Sequence, residues 1–401
     1  MFDRAANSQA RTGRDRGGAI TATTDTFADA IGGLGDTEWD QLAGGRFYSS
    51  ALWLRVCALE PGSVSGGLHV RTPGGGRAAV PVAAVTDEPN SELRWHDLLA
   101  ARGLPAPEPG GLLVGQRRGY LAHLLSGEGT ERTEAAAAVL DAVRALRSPL
   151  HGESKIARVA MYLTTEDVRA LRAAGVRTAP VALKTDAWIE IPPGGYEAWL
   201  ESLSAHRARR IRSEIRKFEK AGYELEHRTL SECWQDVARL LARSLLRYGS
   251  TVDVAPIAES FRKHGELAGS RAEVVLCSRL GEPPVGFCLY YRWGDTVYLR
   301  ALGLDHERLA SAAEYFNLTY YMAARLPGVR RLHAGTETAE GKALRGATLR
   351  PLWLLDLSED SPLAGYDEEI HGHNRALLTR LRDCSPAISD ALEYELWEPY
   401  C

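Results

Sequence analysis

The chain has 401 residues, 45% hydrophobic and 25% charged, with a net charge of -4. That composition supports roughly two or three domain-sized cores and excludes pervasive disorder, collagen-like repeats and a disulfide mini-scaffold. No run approaches the roughly 18 uninterrupted apolar residues of a membrane-spanning helix. Residues 1–36 carry no apolar signal core and read as the disordered tail of a cytoplasmic protein. Six cysteines lie far apart without a C-x-x-C, which argues against zinc and disulfide frameworks. Lysine occurs only at 155, 184, 217, 220, 263 and 342, the bias of a GC-rich coding sequence, so each lysine invites inspection.

In chain order, the pattern predicts a helix over 47–59, strands over 68–71 and 78–85, and a short strand within 110–115. An Ala-rich helix over 131–146, a strand over 158–163, a helix over 166–173 and an extended arm over 181–191 follow. Pro192-Pro-Gly-Gly195 then breaks the chain. Next comes a concentrated positive segment: His206 to Lys220 holds seven Lys/Arg against Glu214 and Glu219, a net +5 on an otherwise acidic protein. Ala208, Ile211, Ile215 and Phe218 recur at helical spacing on one face, and Arg209, Arg212, Arg216 and Lys220 on another. Gly222 supplies the C-terminal stop.

Beyond it the pattern gives a strand over 223–227, a helix over 231–248, and strands over 273–279, 285–293 and 296–304, the last two joined by the Gly294-Asp295 turn. A helix over 311–325, a strand over 331–334, a short helix over 339–344, a strand over 349–357 and a C-terminal helix over 367–383 complete the chain. Tight hairpins beside helix-joined strands require a mixed sheet and an α/β (α+β) class. No G-x-G-x-x-G follows a strand and no P-loop occurs, so nicotinamide and NTP chemistry lose their usual supports.

Three stretches carry a family resemblance: Phe47-Tyr-Ser-Ser-Ala-Leu-Trp53, the basic segment Ser204 to Lys220, and the series Glu314-Tyr-Phe-Asn317, Tyr320-Tyr321, His333-Ala-Gly-Thr336, Lys342-Ala-Leu-Arg-Gly346. The chain resembles the GCN5-related N-acetyltransferases (GNAT), in particular the double-domain group of Fem-type peptidoglycan aminoacyltransferases. The resemblance implies two tandem GNAT-like domains, each a mixed sheet flanked by helices, over 37–195 and 223–360. A basic connecting helix over 196–222 and a C-terminal helix and tail over 361–401 complete that division. It also implies amide formation by acyl transfer. The stretch Arg308-Leu-Ala-Ser-Ala-Ala313 aligns with the family's pyrophosphate loop, [QR]-x-x-G-x-[GA], but has serine where acetyl-CoA-dependent members have glycine. The expected donor is therefore aminoacyl-tRNA rather than acyl-CoA, and the acceptor an amine on a peptidoglycan precursor or a small biosynthetic metabolite.

Such a transfer needs positive charge at the developing oxyanion and a base for the amine. Lys342 is the expected oxyanion group. Glu314 and Glu337 are candidate bases, and Tyr315 is a candidate acid. Arg345, Asn317, Arg300 and His333 are candidate substrate contacts. Arg207, Arg210, Arg212, Arg216 and Lys217 are candidates for tRNA or phosphate. His371-Gly-His373 has metal-pair spacing, yet it falls in a predicted helix without a third ligand, and no metal or resident cofactor is expected. Two rivals remain: an acyl-CoA-dependent enzyme on the same fold, and a non-catalytic module that binds RNA or phosphate.

Overall fold

The computed structural model describes residues 33–60, 62–152, 155–247 and 253–401. Most of the tail expected over 1–36 lies outside the described residues, and a helix, Asp36–Ala43, begins where that tail was to end. The first half supplies β1 Ser63–Arg71, β2 Arg77–Val85, β3 Gly111–Val114, β4 Leu125–Ser126, β5 Ala157–Leu163 and β6 Val181–Glu190. The second supplies β7 Tyr223–Thr229, β8 Ala272–Arg279, β9 Gly286–Trp293, β10 Thr296–Leu304, β11 Arg331–Gly335 and β12 Ala347–Asp356.

Among the described residues these form one 12-stranded mixed sheet in the order β1-β2-β3-β5-β12-β6-β11-β10-β9-β8-β7, with β4 beside β2. The two halves are thus joined edge to edge, and they exchange their last strands. β6 runs antiparallel to β11, Arg331 opposite Glu190, while β12 runs antiparallel to β5 and β6. Closing the sheet through the middle removes two strand edges that each half alone would expose.

Alternation along the strands feeds two cores. On one face Val297, Leu332 and Trp353 pack against the helices Arg132–Ala145, Thr165–Ala173 and Ala205–Lys220. On the other, Tyr298, Trp188 and Leu352 meet Ala51–Ala58 and Leu230–Arg247. The basic helix behaves as its spacing predicts: Ala208, Ile211, Ile215 and Phe218 are buried, Ser204 caps the start through the Arg207 amide, and Gly222 turns the chain with φ 71°.

Two expectations change. The helix Val254–Ala268 is absent from the expected elements, although Ile257, Phe261, His264 and Ala268 recur at helical spacing on the face it turns to the core. The helix expected from Ser311 instead starts at Glu314, since Ser311 and Ala313 both adopt left-handed φ, 57° and 61°. It then passes through a π-helical turn, Asn317–Tyr321, before ending at Ala324.

Candidate active site

β10 and β11 are parallel neighbours for only three residue pairs, Thr296 with Arg331 through Tyr298 with His333, and then part. The cause lies on the other side of β10, where Arg300 is an extra residue between Leu299 and Ala301 in the pairing with β9. A bulge bends its strand and increases the local twist, here away from β11. The opened fork holds a slot of about 150 Å³ lined by Leu299, Ala334, Tyr315, Thr319 and Tyr320. A larger cavity of about 590 Å³ lies on the opposite side of the sheet, and Arg300, Ala301 and Leu302 border both.

The loop leading from β10 to the next helix has the backbone of an anion cradle, with left-handed residues alternating along 310–313. Two of its amides are already engaged. Glu314, 4% exposed, accepts from the Ala310 amide at 2.9 Å, the Ala312 amide at 2.9 Å and the Tyr223 hydroxyl at 2.8 Å. Both carboxylate oxygens are occupied, so Glu314 closes the loop and is not the general base that its sequence position suggested.

Lys342 lies at the far end of the fork. Its side chain is buried, and Nζ donates to the Gly335 carbonyl at 2.7 Å, one residue beyond the slot wall at Ala334. Burial pushes its pKa down to about 8, against the opposing pull of the Asp186 and Glu337 carboxylates. Tyr315 reaches the slot with its hydroxyl 3.2 Å from that of Tyr320 and 3.3 Å from Thr338 Oγ1. Burial raises the Tyr320 phenol well above its ordinary value. Glu337 points outward and pairs with Lys184 at 2.5 Å, and Lys184 also meets Glu92 at 2.7 Å.

The remaining candidates separate. Arg345 is 2% exposed and fully committed: it donates to Glu214 at 2.7 Å, to the Tyr321 hydroxyl at 2.8 Å and to the Gly341 carbonyl at 2.8 Å, and it stacks on Phe316. It rivets the basic helix to the fork helix, and its burial between Glu214, Tyr321 and Phe316 gives it a structural role. Asn317 is buried and donates to the Ala313 carbonyl at 3.0 Å, which again fixes the loop. His333 is buried within the rings of Tyr48, Trp188 and Tyr298, with Nε2 2.8 Å from Asp186. Asp186 also accepts from the Trp188 indole at 2.6 Å.

On the basic helix, Arg210 pairs with Glu214 at 3.0 Å and Arg207 is half-buried. Arg212, Arg216 and Lys217 are exposed, and among the described residues none has a carboxylate partner. The sequence reading passed over Asp186, Lys184, Glu214 and His264. An aspartate inside an otherwise apolar arm and the rarity of lysine were the available signals for the first two. Glu214 and His264 gave none.

The sequence profile of the acetyltransferase (GNAT) domain matches residues 205–342, the basic helix through the fork to Lys342. Residues 205–342 form a GNAT domain, and the protein is an acyltransferase. No curated protein sequence matches it significantly. Among solved structures, this chain is similar to FemX, at 14% identity and a TM-score of 0.54, over 82% of this chain and 97% of that one. It is also similar to the C-terminal domain of a putative lysylphosphatidylglycerol synthetase from Agrobacterium fabrum, at 10% identity and a TM-score of 0.50, over 83% and 96%. A tandem GNAT protein from the clavulanic acid biosynthesis pathway aligns at 13% identity with a TM-score of 0.42, over 77% and 88%. With FemX and the Agrobacterium fabrum domain the shared property is the fold. No described helix is long and apolar enough to cross a membrane.

Proposed function

We propose that this acyltransferase moves an aminoacyl group from aminoacyl-tRNA to an amine, on a peptidoglycan precursor or a small biosynthetic metabolite, at the β10–β11 fork. The observation that carries the choice of donor is the loop amides held by Glu314. A CoA pyrophosphate needs those N–H groups, and at Ala310 and Ala312 it would meet a fixed carboxylate instead. The exposed Arg212, Arg216 and Lys217, on a helix riveted to the fork through Glu214 and Arg345, offer a polyanion footing in its place. The Fem-type resemblance points to the same donor.

In this reading the amine nitrogen attacks the ester carbonyl, the C–N bond forms, and the ester C–O bond to the ribose breaks. The Lys342 ammonium turns from the Gly335 carbonyl to donate to the oxyanion. Tyr315 gives its phenolic proton to the ribose oxygen and takes up the proton released by the amine, so its hydroxyl is restored. The ester is already activated, so the step consumes no nucleotide.

The competing reading keeps the slot and uses acyl-CoA, as the acetyltransferase profile suggests. Purified protein is incubated with mixed aminoacyl-tRNA or with acetyl-CoA and a panel of amines, and donor loss is followed with wild type, Lys342→Ala and Glu314→Ala. The expected result is consumption of one aminoacyl-tRNA, lost in Lys342→Ala, with measurable CoA binding only in Glu314→Ala. Wild-type turnover of acetyl-CoA alone overturns the donor.

A further inference from the structure

The cavity of about 590 Å³ on the far side of the fork is walled by both halves: Glu60, Asn90, Arg118 and Tyr120 from the first, Ser260 and His264 from the second. Its charges are unevenly matched. Arg117 pairs with Glu88 at 2.7 Å, and Arg118 pairs with Glu60 while donating to Ser260 Oγ at 2.9 Å. Arg300, the bulged residue, lies over the Trp53 ring at 5.4 Å, and among the described residues it has neither a carboxylate partner nor a hydrogen bond. One guanidinium therefore faces the cavity uncompensated, at the point where cavity and slot meet.

His264 adds a second, independent mark. It is 2% exposed, its Nε2 is bound to the Tyr291 hydroxyl, and its Nδ1 is buried without a partner. Burial, helped by Arg118 and Arg300, depresses its pKa to about 3, so the ring is neutral near pH 7. In the tautomer where the Tyr291 hydroxyl donates to Nε2, the proton sits on Nδ1 and that N–H has no partner. An orphaned donor of this kind costs on the order of 1–3 kcal/mol unless a ligand or water satisfies it.

We propose that this cavity is the acceptor's site, and that the acceptor is a small amine carrying its own carboxylate or phosphate, bound by Arg300 with His264 Nδ1–H as second donor. The proposal rests on the acyl-transfer reading of the fork and narrows its acceptor. The volume falls in the range that encloses a metabolite. A guanidinium fork matches a planar carboxylate or a phosphate through paired N–H groups. Anchoring the anion at Arg300 aims the neighbouring amine through the bulge at Ala301 and Leu302 into the slot, where the acyl carbon lies.

The test is titration calorimetry of the full chain without any acyl donor. The probes are L-α-amino acids and O-phosphoethanolamine, each paired with its neutral counterpart, the amino-acid amide or ethanolamine, and a UDP-linked muramyl pentapeptide as the bulky arm. At least one anionic amine is expected to bind, with its neutral counterpart weaker by about 10–100-fold. Arg300→Gln should erase that discrimination, and Arg300→Lys should retain part of it. If Arg300→Gln does not fold, the wild-type pairs and Arg300→Lys decide. The idea fails if no small anionic amine binds up to about 10 mM, if neutral and anionic partners bind alike, or if only the pentapeptide binds. The carboxylate and phosphate arms identify the anion. Because no donor is present, failure here leaves the aminoacyl-tRNA assignment standing, and failure of the donor assay leaves this binding result standing.

Discussion

Each half of the molecule contains one parallel strand pair leading into a helix, and the two pairs end differently. In the first half β3 and β5 pair from Gly111 with Ala157 to Val114 with Ala160. The gap beyond them is then closed: Ala122 bridges to Leu163, its amide donates to the Tyr162 carbonyl at 2.9 Å, and Gln116 donates to the Leu121 carbonyl at 2.7 Å. Tyr162 accepts a φ of 59° in the process, a strained conformation for a bulky residue. In the second half the Arg300 bulge turns β10 aside, and among the described residues no bridge closes the gap, so a slot remains. The same order of elements therefore gives one sealed fork and one open fork, the latter being the proposed reaction site. The GNAT profile matches only the second.

The largest expected effect breaks the open side. Arg345→Ala removes the buried cation from Glu214 and leaves it only the exposed Arg210, and should cost about 3 kcal/mol in urea denaturation, at the lower end for breaking a buried pair. Lys342→Ala should spare stability and lower kcat by about 10²–10³ with little change in KM, as removal of an oxyanion donor does. The pH dependence of stability carries the same residue's signature. The Lys342 pKa is depressed in the folded state, so its contribution to stability is fully present above the unfolded value of 10.5 and is lost as pH falls through about 8. Wild type should gain stability from about pH 8 to pH 10 relative to Lys342→Met.

The sealed side should respond in the opposite sense. Asp167 is fully buried and accepts from the Leu124 amide at 3.0 Å and Arg132 at 2.6 Å. Burial works against its ionised form, yet His123, Arg132 and Thr164 together hold the carboxyl below its usual range. Asp167→Asn should cost about 1–3 kcal/mol near pH 7 and leave kcat unchanged. It should also reduce the wild-type loss of stability as pH falls below about 4, since a depressed carboxyl contributes only above its folded pKa. A fall in kcat equal to that of Lys342→Ala would erase the distinction between the forks. The smallest effect is on the basic face: Arg212→Gln, Arg216→Gln and Lys217→Gln together should raise KM for aminoacyl-tRNA about tenfold and reduce the salt slope by about 3.

Much of the fold was legible because strand and helix periods are local. The spacing of Ala208, Ile211, Ile215 and Phe218 specified which face of the basic helix is buried, and the Gly294-Asp295 turn specified the β9–β10 hairpin. The helix Val254–Ala268 was passed over although Ile257, Phe261 and Ala268 keep helical spacing, because Pro256 and Gly265 interrupt the pattern. Of the candidate site, Tyr315 and Arg300 border the slot and Lys342 is held at Gly335, one residue beyond its wall, whereas Glu314 and Arg345 engage partners within the protein itself.

The sequence by itself determined the elements, the mixed sheet and the concentration of positive charge, all set by composition and short-range period. The tertiary structure decided the strand exchange that seals the seam, the carboxylate that fills the anion loop, and the pairing of Asp186 with His333 across 147 positions. A charged side chain's role depends on which partners its burial brings within hydrogen-bond reach. Those partners are chosen by the path of the whole sheet, which no local pattern records.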